Sequence, residues 1–233
     1  MSDQQLFATP FSKIYWRCAF NELKNTRMLV FASLIIALRV AFKLFAIPIG
    51  PSLNITTGFF VNALGSMCYG PVVALISGAI SDTIGCILFP QGIYFFPFIF
   101  VEMTGGFLFA IFLYRAKLSS IRVILSRFSV VFVCNLILNP ILLYFYGKYI
   151  INEAYTILSI PRLVKNIALF PAEALLLILF LNVSAPVSDR MGLTNIRIKK
   201  LEIKKQDIVL LAALTLVAAA GIVLYCFVYL PNK

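Results

Sequence analysis

The chain has 233 residues, 61% hydrophobic and only 12% charged, with a mean hydropathy of +0.97; a soluble domain carries roughly twice that charged fraction. It contains no histidine, which excludes imidazole metal sites, Ser-His or Cys-His catalysis and imidazole pH switches. The net charge of +11 would suggest nucleic acid as the partner of a soluble protein, but here the basic residues flank apolar runs of about 18 to 26 residues, long enough to cross a lipid bilayer.

Residues 1–27 lack the apolar stretch of a cleavable signal. Phe11, Ile14, Tyr15, Cys18 and Leu23 recur there at helical spacing beside Lys13, Arg17, Lys24 and Arg27, the pattern of a helix lying on the inner membrane surface. Span 1 is expected from Met28 to Phe45 and stops at IPIGPSLN, whose prolines and glycine cannot continue a helix. Span 2 covers Ile55 to Tyr69, and Gly70-Pro71 turns the chain tightly into span 3, Pro71 to Phe89. The loop PQGIYFFP leads to span 4, Phe95 to Tyr114. After the basic connection RAKLSSIR come span 5, Ile121 to Tyr146, and span 6, Pro161 to Asn182.

A basic linker then runs over 186–206, with Arg190, Arg197, Lys199, Lys200, Lys204 and Lys205, and Asp207 to Leu230 reads as a seventh span. The expected architecture is all-α and polytopic: a surface segment (1–27), a six-helix membrane domain (28–185), a cytoplasmic linker (186–206) and a further C-terminal transmembrane helix (207–233). Lys and Arg crowd the N-terminal segment, the loop between spans 4 and 5 and the linker, while the loops at 46–54 and 90–94 carry none. The positive-inside rule puts the N-terminus in the cytoplasm. Cys18, Cys68, Cys86, Cys134 and Cys226 are scattered and odd in number, so small buried hydrophobes are expected in place of a disulfide framework.

Polar residues interrupt the spans, and a rise of 1.5 Å per residue converts their positions to depths. Arg39 and Asp82 fall at a common level, about 17 Å up spans 1 and 3, with Lys43 one turn above Arg39. Asn62 and Glu102 lie about 10 Å below the outer surface on spans 2 and 4. Asn135 and Asn139 occupy the outer half of span 5, Lys165 and Asn166 the outer part of span 6, and Glu173 its middle. An ionised group at the bilayer centre costs about 3 kcal/mol on insertion scales, so these side chains should face one another or a polar cavity. Outward-facing binding is one outcome; interhelical glue, through pairs such as Arg39-Asp82 and Lys165-Glu102, is the other. Ser33, Ala37 and Ala41 form a small-residue stripe nearly opposite Arg39 and Lys43, and Ser77, Ser81 and Gly85 form a second one suited to internal packing. No nucleophile with a base, no P-loop and no metal-ligand cluster emerges, so neither an enzyme nor a bound cofactor or metal is expected.

The stretches LIIALRV and IPIGPSLNI, GPVVALISGAISDTIGCILFPQGIYFFP, NLILNPILLYFYGK and PRLVKNIALFPAEALLL together resemble the substrate-binding S components of energy-coupling-factor (ECF) vitamin transporters, and within them the folate-specific branch. The resemblance implies six helices that bind the vitamin near the outer surface of a prokaryotic plasma membrane, with the first loop and the loop after span 3 as gates. It implies an AxxxA face, matched by Ala37 and Ala41, that docks on a transmembrane T component driven by two ATPase subunits. In a folate pocket, Arg39, Lys43, Arg162 and Lys165 are candidates to pair with the ligand's two carboxylates, and Asp82 or Glu102 to accept from its pterin ring. Asn62 and Asn135 offer donors and acceptors, and Tyr94 and Phe95, with Phe59 and Phe96, offer faces for flat rings. The alternatives are an S component for another vitamin or pterin-like compound, and a non-transporting membrane assembly protein. The extra C-terminal span departs from the family pattern.

Overall fold

The computed structural model describes residues 6–7, 9–43, 47–50, 53–55, 57–90, 93–152, 160–194 and, near the C-terminus, 209–210, 212–213, 215–217 and 219–220. The chain forms two compact units, Met1–Leu118 with Leu181–Lys200, and Ser119–Phe180 with Leu201–Lys233.

In the first unit, Ser12 caps α1 (Lys13–Asn21) through a bond from the Ile14 amide, the usual way a serine satisfies an orphan donor at a helix start. A 3-10 turn, Glu22–Lys24, ends it, and α2 (Thr26–Lys43) leaves at 81° to the preceding segment. Met28, Phe31, Ala32, Ile35, Arg39 and Val40 of α2 are buried, a spacing of three and four that marks one helix face. The segment after span 1, expected as an irregular loop, contains a two-stranded antiparallel hairpin, β1 (Ile47–Gly50) with β2 (Leu53–Ile55), pairing Ile47 with Ile55.

Helical backbone spans α3 (Phe59–Leu88) except at Gly70, whose φ of 78° and ψ of −179° break it. That region is open essentially to glycine alone. A Cβ on Gly106 would lie 3.3 Å from Asn62 Oδ1 and 3.1 Å from the Ala74 carbonyl oxygen. An unbroken helix would hold residues 62 and 74 about 18 Å apart along its axis, so the chain reverses at Gly70-Pro71 and α3 is a hairpin of two limbs, 59–69 and 71–88. This is the turn expected between spans 2 and 3, with the first limb starting four residues later than the sequence suggested because Ile55 belongs to β2. The 3-10 turn Phe96–Phe98 leads into α4 (Ile99–Leu113), together an apolar segment of 18 residues able to cross a membrane. Ser77 and Ser81 are fully buried, as the packing role for that stripe requires.

The second unit contains a 32-residue apolar helical stretch, Ser120–Ile151. It comprises α5 (Ser120–Val130), a π-helical segment Val131–Leu138, α6 (Asn139–Tyr146) and a further π turn, Gly147–Ile151. Helix α7 (Ile160–Arg190) carries a candidate span from Lys165 and extends eight residues past the expected end of span 6, into what sequence patterning assigned to the linker. Its residues to Phe180 belong to the second unit and those from Leu181 to the first. Of the expected seventh span, the described residues are helical and exposed. The four cysteines among the described residues are free thiols; Cys226 lies outside them.

Candidate substrate site

In the first unit four charged side chains from three helices come together. Arg39 of α2 donates to Glu102 of α4 at 2.5 Å, and Lys43, one turn along α2, donates to Asp82 of the second α3 limb at 2.9 Å. Lys43 is also within electrostatic reach of Glu102, which makes the two pairs one cluster. The expected Arg39-Asp82 pair is therefore replaced. Residues at one depth need not share an azimuth, and Lys43, on the same face as Arg39 but a turn higher, is the cation turned toward Asp82. Glu102 takes Arg39 as its ion-pair partner.

The exchange leaves two polar atoms buried without a partner among the described residues: Nη1 of Arg39, a donor, and Oδ2 of Asp82, an acceptor. Both residues are only 5% exposed. A buried polar atom left unpaired costs about 1–3 kcal/mol, and more when charged, so one unpaired donor and one unpaired acceptor beside each other's ion pairs call for a polar guest. Asn62 is buried one helix away, accepts from Ser66 at 3.3 Å and lies against Gly106. Cys86 lies within electrostatic reach of Asp82, Lys43 and Glu102 and is half-buried.

The other expected site residues divide as follows. Tyr94 is exposed, and Phe95 meets Phe98 edge-on at 5.6 Å. Phe96 is exposed and Phe59 packs on Phe60 at 4.1 Å. Asn135, Arg162 and Lys165 belong to the second unit. There Asn135 Nδ2 donates to Asn166 Oδ1 at 3.0 Å, and Asn166 Nδ2 donates to the Arg162 carbonyl at 2.8 Å. Sequence patterning missed Arg127, which is buried and donates through Nε and Nη2 to Glu173 at 3.2 and 2.7 Å. The signal was present: Arg127 lies about 9 Å inside span 5 by helical rise, too deep for a flanking charge. On α2, Ser33 and Ala37 are exposed and Ala41 half-exposed, while Arg39 is buried, the two-faced arrangement the spacing predicts.

A family model described as "ECF-type riboflavin transporter, S component" matches residues 23–185. The chain belongs to this S-component family. It is a transporter subunit and not an enzyme, and its apolar helices make it a multi-pass membrane protein. Folate transporter FolT of Clostridium novyi is 31% identical over 155 residues, 66% of this chain and 88% of the relative. Folate transporter FolT of Leuconostoc mesenteroides subsp. mesenteroides is 26% identical over 152 residues, 64% of this chain and 81% of the relative. The crystal structure of FolT bound with folic acid superposes with a TM-score of 0.58 at 31% identity, covering 65% of this chain and 89% of that one. Residues 1–22 and 186–233 of this S component lie outside the family match.

Proposed function

We propose that this S component captures folate, or a reduced folate, from the outer face of the plasma membrane, with its N-terminus cytoplasmic. It releases the vitamin inward after docking on a T component powered by two ATPase subunits. The observation that carries the reading is the unpaired donor-acceptor couple, Arg39 Nη1 and Asp82 Oδ2, beside two ion pairs. Folate matches it chemically: one edge of its pterin presents N–H donors to the Asp82 carboxylate and a ring carbonyl oxygen to the Arg39 guanidinium. Two FolT relatives and a folic-acid-bound FolT structure support the choice of ligand. Lys43, Asn62, Glu102, Tyr94 and Phe95 are proposed to complete the site in the first unit, and Asn135, Arg162 and Lys165 are proposed as substrate-binding residues of the second. Ser33, Ala37 and Ala41 are proposed as the docking face, a use suited to small residues that let backbones approach closely.

The family description names riboflavin, which gives the competing ligand. Riboflavin's ring edge has a single N–H between two carbonyls where pterin has an amidine edge with two N–H donors, so the Asp82 carboxylate offers it less. Equilibrium binding of folate and riboflavin to the purified chain decides between them. Folate is expected to bind and riboflavin to fail as a competitor. Asp82→Asn and Arg39→Met are each expected to weaken folate binding about 10- to 100-fold, the worth of one charged hydrogen bond. Saturable riboflavin binding without folate binding would reverse the assignment.

A further inference from the structure

Helix α1 precedes the family match, and nothing in substrate capture uses it. Its inner face is tied to the end of α4. Tyr15 and Ala19 are buried, and Tyr15 Oη donates to the Ala110 carbonyl at 3.2 Å. Burial pushes the Tyr15 phenol well above its ordinary pKa, so it remains that donor at any physiological pH. Trp16 stacks on Phe107 at 6.2 Å. Immediately beyond the helix, Glu22 is 3% exposed and accepts from Tyr114 Oη at 2.9 Å and from Arg115 Nη2 at 3.4 Å, while Arg115 Nε donates to Tyr114 Oη at 3.1 Å. Arg115 takes a left-handed φ of 48° to make this latch, and its carbonyl accepts from the Phe7 amide at 2.8 Å. The latch neutralises the single acidic residue between Lys13 and Lys24.

The outer face presents apolar and basic side chains side by side. Phe11 is 90% exposed, Phe20 57% and Ile14 49%; Lys13, Arg17 and Lys24 are exposed among them. Helical rotation of 100° per residue sets Lys13 and Arg17 opposite Tyr15, with Phe20 and Ile14 on either flank. The helix runs at 81° to span 1, which is the direction of the membrane plane if span 1 crosses it. We propose that α1 is a lipid-binding foot: Phe11, Ile14 and Phe20 enter the headgroup-acyl boundary while Lys13, Arg17 and Lys24 bind anionic phospholipid headgroups. Mixed apolar and cationic exposure favours this surface, since the same side chains would leave apolar area in water if turned to the cytosol. The inference is independent of the vitamin and of which side of the membrane the N-terminus occupies.

Trp16 is the sole tryptophan in the chain, so its fluorescence reports on α1 alone. The full chain is placed in phosphatidylcholine nanodiscs containing equal mole fractions of either brominated phosphatidylglycerol or brominated phosphatidylcholine. Quenching by the anionic lipid is expected to exceed that by the zwitterionic one about threefold, given the pull of juxtamembrane basic residues. With Lys13→Gln, Arg17→Gln and Lys24→Gln combined the two lipids should quench equally, with an unchanged thermal unfolding midpoint showing that the fold survives. Equal quenching in the native chain would overturn the proposal. So would no quenching, which would assign this face to water or to a protein, and so would a lipid preference that persists undiminished in the triple variant.

Discussion

At the scale of single residues, the site is sensitive to what surrounds Lys43 as much as to Lys43 itself. A Cβ on Gly85 would stand 2.7 Å from Lys43 Cδ and 2.9 Å from Nζ. Lysine is flexible and can move aside, so Gly85→Ala should leave the thermal midpoint nearly intact while displacing the ammonium from Asp82. Folate binding is expected to weaken about tenfold, readable by calorimetry. Gly78 makes the instructive contrast. Its Cβ would meet the Glu102 carbonyl oxygen and the Met103 Cα, both at 2.9 Å, and backbone has nowhere to go. Gly78→Ala should destabilise the fold by about 1–3 kcal/mol, seen as a lowered unfolding midpoint in detergent. Cys86 provides a third reading: with the other thiols replaced by serine, its alkylation rate should fall when folate is bound, because it neighbours Asp82, Lys43 and Glu102. An unchanged rate would place the ligand elsewhere.

Depth was legible in the sequence at this scale and azimuth was not. Counting residues brought Arg39, Lys43, Asp82 and Glu102 toward a common level, but which cation met which anion depended on helix rotation that no spacing reveals. Arg39 therefore paired with Glu102 and not with Asp82. The basic and apolar residues of α1 were legible as a two-faced helix, whereas the Glu22, Tyr114 and Arg115 latch that holds it joins positions 92 and 93 apart in sequence.

At the scale of elements, the reversal inside α3 was the most readable event, because Gly70-Pro71 combines a residue free to take positive φ with one that starts helices well. Gly70→Ala should test it severely. The backbone there suits glycine, and an added Cβ would press on the Tyr114 ring at 3.0 Å. A loss of about 1–3 kcal/mol from backbone strain alone is expected, measured as thermal stability. The β1–β2 hairpin was unreadable for the opposite reason: strands of four and three residues are too short to show a period. The two π-helical segments of the second unit left no trace in sequence either, since widening a turn by one residue barely shifts an apolar run.

At the scale of the whole molecule, the presence of several apolar helices able to cross a membrane was legible, and the segments outside the family match were assigned only by composition. The division of labour within α2 gives a transport-level prediction. Arg39 is buried while Ala37 is exposed, so Ala37→Trp should preserve folate binding by the isolated chain yet abolish uptake when the T component and ATPases are present. Loss of binding in that variant would show that the stripe supports the bundle and not a partner.

The unequal limbs of α3 bear on where this protein can change length. From the shared turn, 11 residues of the first limb rise about 16 Å and 18 of the second about 27 Å, so the first limb begins well short of the level its neighbour attains. Backbone at such a level must satisfy its own amides, and the ladder between Ile47 and Ile55 does so without a helix. Insertions there, harmless in an ordinary exposed connection, would strand hydrogen-bonding groups away from water; the tract around Lys117 should accept extra residues far more readily.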